Sequence, residues 1–221
     1  MTKYELVVFD WDGTLFDSTA AIAAAIRAAA QDLGLAVPDE RRAAHVIGLG
    51  LHDALRHAVP DLDPARVPDF VARYRSHYFG RDEELTLFEG VETMLHGLQQ
   101  RGLWLGIATG KSRAGLNRVL QRSGLGALFH ATRCADEGIP KPHPWMLLDL
   151  CEELRVAPER TLMVGDTTHD RDMASSAGAD FVAVAYGAHA ADDLAEGSLA
   201  CLHQVAELRA WLDRHVTGEP A

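Results

Sequence analysis

Short apolar runs alternate with longer stretches of helical periodicity along this chain. Four runs have the length of a buried strand, namely Leu6–Phe9, Leu103–Ala108, Thr161–Val164 and Phe181–Ala185. Between the last three runs, apolar side chains recur at helical spacing in Ser112–Arg122, Pro144–Leu154 and Thr168–Ala177. Because continuously apolar strands that alternate with helices are typical of a sheet covered on both faces, the pattern predicts a doubly wound, mostly parallel α/β sheet.

A long helical block interrupts this alternation after the first strand. Its predicted helices are Ser18–Leu33, Asp39–Ile47, Leu51–Val59 and Pro64–Phe79, and a further helix, Val91–Arg101, leads into the second strand. Such a block is too long for a crossover connection. We therefore expect two domains, an α/β core formed by residues 1–16 and 90–221 and an inserted all-α domain formed by residues 17–89.

Paired aspartates follow two of the predicted strands. Asp10 and Asp12 end the first strand, and alternate residues of an extended chain project to the same side. Asp166 follows Thr161–Val164, and Asp170 shares its face if a helix begins near Asp166. Each pair alone would also suit a solvated turn or an acidic helix N-terminus. Because ligands bind beyond the carboxyl ends of the strands in doubly wound sheets, the four carboxylates together predict a site for a divalent, oxygen-ligated cation.

Two further segments have features that suit phosphate. Thr109 and Gly110 follow the second core strand, where a hydroxyl, a closely approaching N–H and a helix N-terminus would meet an anion. Lys141, one of only three lysines in the chain, lies between two prolines that stiffen its backbone. It could neutralise carboxylates and phosphate there. Taken singly, a residue such as Thr109 is more often a turn or cap residue, and one such as Lys141 is more often a surface lysine in a Pro-rich turn.

Composition narrows the classes of partner. The 21 Lys+Arg and 32 Asp+Glu residues give a formal net charge of −11, which repels nucleic acids and anionic membranes while leaving room for a local anion site. The 3 cysteines show no disulfide framework or zinc motif. The sequence also shows no secretory leader and no apolar stretch of bilayer length. We expect a cytoplasmic protein, a monomer or weak homo-oligomer, with neither nucleic acid nor membrane as a partner.

Taken in order, these segments resemble the motifs of the haloacid dehalogenase superfamily of phosphatases. The matching pieces are Asp10-Trp11-Asp12-Gly13-Thr14-Leu15, Thr109-Gly110, Lys141-Pro142 and Gly165-Asp166-Thr167-Thr168-His169-Asp170. The helical insert between the first two motifs resembles the subgroup with an α-helical cap, and the first motif is most like that of phosphoglycolate phosphatases and their pyrophosphatase relatives. The resemblance covers essentially the whole chain and implies the same core with a cap domain.

The resemblance implies a covalent mechanism with Mg²⁺. Asp10 would attack phosphorus and form an aspartyl phosphate. Asp12 would protonate the leaving oxygen and then deprotonate the hydrolytic water. Mg²⁺ would be held by Asp10, the backbone carbonyl of Asp12 and Asp166, with Asp170 nearby or acting through water.

The same resemblance assigns the phosphate and substrate contacts. Thr109, the N–H of Gly110 and Lys141 would hold the phosphoryl oxygens. The cap would close over the site, exclude water and select the substrate. Four cap cations are candidates for reading a carboxylate on that substrate: Arg41, Arg42, His45 and Arg56.

The expected function is therefore Mg²⁺-dependent hydrolysis of a small phosphorylated metabolite, with 2-phosphoglycolate as the first candidate. Asp12 argues against the dehalogenases themselves, which lack a second aspartate. Residues 4–110 contain no lysine, so the Schiff-base chemistry of the phosphonate-cleaving relatives is excluded. A β-phosphoglucomutase-like phosphoryl transferase and a pyrophosphatase are alternatives. A non-catalytic binding module is a further one, since a fold does not guarantee an activity.

Overall fold

One parallel sheet organises the protein, whose computed structural model describes residues 4–80 and 85–216. The strands are β1 (Leu6–Phe9), β2 (Trp104–Thr109), β3 (Ala131–Cys134), β4 (Thr161–Gly165), β5 (Asp180–Val184) and β6 (Cys201–Leu202). They pair in parallel in the order β3-β2-β1-β4-β5-β6. The strand order reverses between β1 and β4, which places the ligand crevice of such a sheet beside the end of β1.

One group of helices packs on the two faces of the sheet, and another group forms a separate block after β1. They are α1 (Thr19–Asp32), α2 (Glu40–His45), α3 (Leu51–Ala58), α4 (Val67–Phe79), α5 (Val91–Gln100), α6 (Arg113–Ser123), α7 (Trp145–Leu154), α8 (Thr168–Ala177), α9 (Ala191–Leu194) and α10 (Val205–His215). Short 3₁₀ turns occur at Pro64–Arg66, Leu125–Leu128 and Pro158–Arg160. None of the helices in the described ranges has the length and apolar character that crossing a membrane requires.

Side chains of the strands alternate between two buried clusters, one on each face of the sheet. In β1, Val7 and Phe9 belong to the first cluster, and Leu6 and Val8 belong to the second. Helices α5, α6 and α10 supply buried side chains to the first cluster, and α7 and α8 supply them to the second. A parallel sheet with helices on both faces confirms the predicted doubly wound α/β fold.

Helices α1–α4 (residues 19–79), called here the helical cap, pack against one another in a third buried cluster. Ile26, Leu55 and Phe70 are among its members. Two backbone segments connect the cap to the sheet and lie side by side, with the N–H of Asp17 donating to the carbonyl of Thr86 at 2.9 Å. The division into two domains at these junctions stays a prediction.

The structure contains elements that the apolar pattern did not predict. These are β3, β6, α9 and α10. The structure confirms the helix predicted at Thr168–Ala177, because α8 spans these residues, and the earlier start near Asp166 that would have put Asp166 and Asp170 on one helix face does not occur. Several predicted helices, including the first three of the cap, are one to three residues shorter in the structure than their apolar pattern suggested.

Candidate active site

The candidate site lies where the central strands β1, β2 and β4 end. Phe9, the last residue of β1, is in register with Ile107 of β2 and Val164 of β4. The N–H of Asp10 donates to the carbonyl of Val164 at 2.9 Å, so the chain continues beside β4 for one more residue. The register therefore brings Asp10 and the residues that follow β2 and β4 to the same edge of the sheet.

Lys141 lies buried between two carboxylates at this edge. Its Nζ is 2.9 Å from Oδ1 of Asp10 and 2.6 Å from Oδ1 of Asp170, and the three side chains are at most 1% exposed. Burial lowers the pKa of Lys141, but the charges of Asp10 and Asp170 outweigh burial and hold that pKa above its ordinary value. Lys141 is therefore a positively charged group inside the protein.

Three aspartates form a group that could hold a cation. Asp10, Asp166 and Asp170 are buried, and each offers a carboxylate oxygen within 4.8 Å of the others. Burial and then the charges of Asp10 and Asp170 raise the pKa of Asp166 well above its ordinary value. Burial also raises the pKa of Asp10 to about 7, although the nearby Lys141 opposes this rise. More positive charge at this point would stabilise the ionised carboxylates.

The donor set of this group fits a hard divalent cation. Asp166 is held in place because its Oδ1 accepts from Oγ1 of Thr14 at 2.8 Å and its Oδ2 accepts from the N–H of Ala188 at 2.7 Å. Oδ2 of Asp10 is buried and has no hydrogen-bond donor among the residues that the structure describes. Carboxylate oxygens are the ligands that Mg²⁺ prefers, so Asp10, Asp166 and Asp170 are suited to it.

Asp170 reaches the site by a route that differs from the predicted one. Since α8 begins at Thr168, Asp170 is its third residue and forms a reciprocal cap with Thr167. Oδ2 of Asp170 accepts two hydrogen bonds from Thr167, one from Oγ1 at 2.7 Å and one from the backbone N–H at 3.1 Å. Oδ1 is thereby left to face Lys141. The capping geometry, rather than a shared helix face with Asp166, brings this carboxylate into the group.

The carboxylate of Asp12 has different partners and does not join the three-aspartate group. Nζ of Lys111 lies 2.8 Å from Oδ1 of Asp12 and 2.9 Å from Oδ2, and Oγ of Ser18 donates to Oδ1 at 2.6 Å. Lys111 also donates to the hydroxyl of Tyr78 in α4 at 3.3 Å. The structure thus corrects any assignment of the Asp12 side chain to the cation. A role for its backbone carbonyl stays a prediction.

Lys111 is a candidate functional residue that sequence reasoning did not select. Burial lowers its pKa, but Asp12 and Tyr78 outweigh burial and hold that pKa above the ordinary value. The available signal was its position directly after Thr109 and Gly110 in a chain with only three lysines. The structure gives position 111 a role, because its lysine pairs with the carboxylate of Asp12.

The cap loop, residues 46–50 between α2 and α3, lies directly on the predicted phosphate segment. A Cβ atom added to Gly110 would lie 2.6 Å from the carbonyl oxygen of Gly48 and 2.8 Å from that of Leu49. Thr109 is buried beside it, and its Oγ1 accepts the N–H of Lys111 at 3.2 Å. The cap therefore covers the end of β2, and only glycine fits at position 110 in this arrangement.

Two histidines of the core contact the cap at a single backbone atom. Nε2 of His169 lies 2.9 Å from the carbonyl oxygen of His45, and Nε2 of His189 lies 3.1 Å from it. Nδ1 of His189 accepts the N–H of Thr168 at 3.0 Å, so its proton is on Nε2, which donates to His45. Burial lowers the pKa of His189 to about 4, which keeps this imidazole neutral.

The four cap residues that the sequence suggested as contacts for a substrate carboxylate do not line the cavity at the reacting aspartates. A cavity of about 180 Å³ opens on Asp10 and Asp12, and its lining includes none of Arg41, Arg42, His45 and Arg56. Arg41, Arg42 and His45 line a different groove, which shares the cap loop residue Val46 with the cavity. Arg56 is exposed and pairs with Asp53 at 3.1 Å. Within the ranges that the structure describes, the cations that line the cavity are Lys111, Arg75 and Arg118.

Comparison with known proteins places these features in a family. Residues 7–184 match the sequence model of a family described as haloacid dehalogenase-like hydrolase. The chain is 35% identical over 190 residues to tyrosine-protein kinase PtkA of Mycobacterium tuberculosis, covering 85% of this chain and 64% of that protein. The chain therefore spans slightly less than two thirds of that relative's length.

Two other proteins match over most of their length. Probable phosphatase IndB of Dickeya dadantii is 36% identical over 197 residues, covering 86% of this chain and 84% of that protein. The crystal structure of a predicted phosphoglycolate phosphatase from Haemophilus somnus superposes with a TM-score of 0.82 at 26% identity, covering 96% of this chain and 99% of that one. The order of the motifs, the fold and the likeness to these proteins all indicate the same family.

Proposed function

The chain belongs to the haloacid dehalogenase-like hydrolases. From this premise we propose that it is a phosphatase, which hydrolyses an organic phosphomonoester with Mg²⁺ through a phosphoryl group on Asp10. The observation that carries the proposal is the buried cluster at the end of β1. There Asp10 lies against Lys141, shares the three-aspartate group and forms part of the floor of the cavity.

Asp10 is the nucleophile in this proposal. An Oδ atom of Asp10 forms a bond to phosphorus while the bond between phosphorus and the leaving-group oxygen breaks. Lys141 keeps Asp10 available as a carboxylate and reduces its repulsion of the incoming phosphate. Water then attacks phosphorus, which releases inorganic phosphate and returns Asp10 as a carboxylate.

Asp12 is the proton carrier. It would give a proton to the leaving-group oxygen in the first step and take one from the attacking water in the second. Lys111 and Ser18 hold its carboxylate beside the cavity floor. Because Lys111 acts on the reaction through Asp12, we assign it as a positioning residue.

Asp10, Asp166 and Asp170 would hold Mg²⁺, which when bound supplies positive charge against the phosphate oxygens and the attacking carboxylate. Thr109, the N–H of Gly110 and Lys141 would hold the remaining phosphoryl oxygens. The cap loop over Gly110 would keep bulk water from the site while the phosphoryl group is transferred.

The substrate within this class is proposed more narrowly as a small phosphorylated metabolite. The likeness to a structure described as a predicted phosphoglycolate phosphatase makes 2-phosphoglycolate the reference compound. Transfer to a sugar hydroxyl, as in β-phosphoglucomutase-like enzymes, and hydrolysis of pyrophosphate are the alternatives that the same assay tests.

The test is phosphate release from 2-phosphoglycolate, β-glucose 1-phosphate and pyrophosphate, with Mg²⁺ and with EDTA. Asp10→Asn is the active-site variant, and Asp17→Asn, which changes an exposed aspartate on the same segment, is the matched control. We expect Mg²⁺-dependent release that Asp10→Asn abolishes and Asp17→Asn preserves. Equal release by Asp10→Asn, or release that EDTA leaves unchanged, would contradict the proposal.

A further inference from the structure

The cavity above Asp10 and Asp12 has apolar walls. Ile22 and Ile26 of α1, Ala54 and Leu55 of α3, and the ring of Tyr74 in α4 are among the side chains that line it. The four aliphatic residues are less than 9% exposed, so they belong to the buried part of the cap. The wall therefore consists of preformed apolar surface that faces the reacting groups.

The charged groups of this cavity lie at its floor and at its exposed side. Asp12 and Lys111 are paired at the floor, where Lys111 already contacts both carboxylate oxygens. Arg75 and Arg118 are exposed residues, and the guanidinium of Arg118 lies over the ring of Phe79.

A short anionic leaving group matches this arrangement poorly. The carboxylate of glycolate lies only two atoms beyond the ester oxygen, and Lys111, the cation nearest in sequence to the phosphate segment, is already paired with Asp12. The carboxylate would therefore share the cavity with apolar side chains. Burial of a charge against apolar surface is unfavourable without a partner. An apolar group in the same position would gain from burial, by about fourfold in binding for each methylene removed from water.

We propose that the physiological substrate is a phosphomonoester whose leaving group carries an apolar or aromatic body that fills the cavity between the cap and Asp12. This inference rests on the proposed phosphatase function and narrows its substrate class. The occupant is the substrate itself, because the reacting aspartates form the floor of the same cavity. Ala54 and Leu55 are then specificity-determining residues.

The first test compares kcat/KM for 2-phenylethyl phosphate, ethyl phosphate and 2-phosphoglycolate in the wild-type enzyme with Mg²⁺. The first two release alcohols of nearly equal acidity, so their ratio measures recognition of the phenyl group. We expect at least a tenfold preference for 2-phenylethyl phosphate over each of the others. Equal values, or a preference for 2-phosphoglycolate, would overturn this inference alone, whereas no phosphate release from any compound would overturn the phosphatase function as well.

The second test fills the cavity. Ala54→Leu adds volume to the wall, whereas Ala58→Leu adds the same volume to the buried face of the same helix without lining the cavity. We expect Ala54→Leu to lower kcat/KM at least tenfold for 2-phenylethyl phosphate and less than threefold for ethyl phosphate. We expect Ala58→Leu to keep the wild-type preference for 2-phenylethyl phosphate over ethyl phosphate. A parallel loss for both substrates in Ala54→Leu would overturn the inference.

A third measurement does not depend on the folding of any variant. Inhibition of the wild-type enzyme by (2-phenylethyl)phosphonate and by ethylphosphonate compares the same two groups without turnover. We expect the phenyl compound to inhibit at a concentration at least ten times lower. Equal inhibition constants would show that the apolar wall does not contact the leaving group.

Discussion

Replacement of Lys141 by methionine is the perturbation whose consequence the structure defines most directly. Methionine keeps much of the length of the side chain and removes its charge. Nζ of Lys141 lies 2.9 Å from Asp10 and 2.6 Å from Asp170, with all three groups buried. The substitution therefore leaves two carboxylates close together without their shared counter-charge.

The expected destabilisation follows from these distances. With an effective dielectric constant near 20, each contact contributes about 6 kcal/mol of attraction before the cost of removing the charges from water. After that cost, loss of one partner from a buried ion pair typically lowers the free energy of unfolding by about 3–5 kcal/mol. For a chain of this size, such a change lowers Tm by roughly 6–20 °C.

The assay is urea and thermal unfolding in EDTA, with two comparison variants. Arg160→Met removes an exposed ion pair with Glu5 and should cost less than about 1 kcal/mol. Lys141→Met combined with Asp170→Asn removes one of the stranded charges and should recover part of the loss. If Lys141→Met is no less stable than Arg160→Met, the buried carboxylates are not held by the lysine and the electrostatic reasoning is wrong.

Three further predictions concern the groups around this cluster. Gly110→Ala should lower kcat/KM at least tenfold in steady-state assays, because its Cβ would lie 2.6 Å from a carbonyl oxygen of the cap loop, whereas Gly97→Ala, with nothing within 4 Å, should leave kcat/KM unchanged. Equal activities of the two variants would contradict the closed position of the cap. Lys111→Met should lower kcat about 10-fold or more with a smaller change in KM, because it removes the partner that holds Asp12. An effect confined to KM would instead make Lys111 a substrate contact. In thiol labelling of the native protein, the partly exposed Cys201 should react first, and Cys134, whose pKa is raised by burial to about 12, should react only after unfolding. Labelling of Cys134 at the native rate of Cys201 would refute that ordering.

The central strands were predictable because burial on both faces leaves a continuous apolar run. Strand β3 shows why the pattern has limits, since its middle residues are Thr132 and Arg133. Arg133 is tolerated there because β3 lies at the edge of the sheet, where its guanidinium pairs with Asp149 and Glu153 of α7. Those partners are apparent only in the folded protein. Helix α10, by contrast, carries a helical apolar pattern that would have supported its prediction.

The candidate site was predictable to the extent that it depends on strand ends. Asp10 and Asp166 lie together because each directly follows a parallel strand that finishes at this edge. Lys141 was selected for its flanking prolines and not from a strand end, because it lies in the long connection between β3 and α7. The partner of Asp12 was not selected from the sequence, although Lys111 follows the end of β2 and lies at the same edge, because a single lysine after Thr109 and Gly110 does not show which carboxylate it will contact. The cations that line the cavity were not predictable either, since the sequence does not specify which face of a cap helix turns toward the core. Arg75 lines the cavity, and Arg41 does not.

The most direct test of the central claim is identification of the phosphorylated residue during turnover. The enzyme is mixed with Mg²⁺ and the best substrate of the panel, quenched in acid within the first turnover, digested and analysed by mass spectrometry. The proposed mechanism predicts one phosphoryl group on Asp10, with none in Asp10→Asn and a longer-lived signal in Asp12→Asn. Phosphate release with an unmodified Asp10, or a phosphoryl group on another residue, would contradict it.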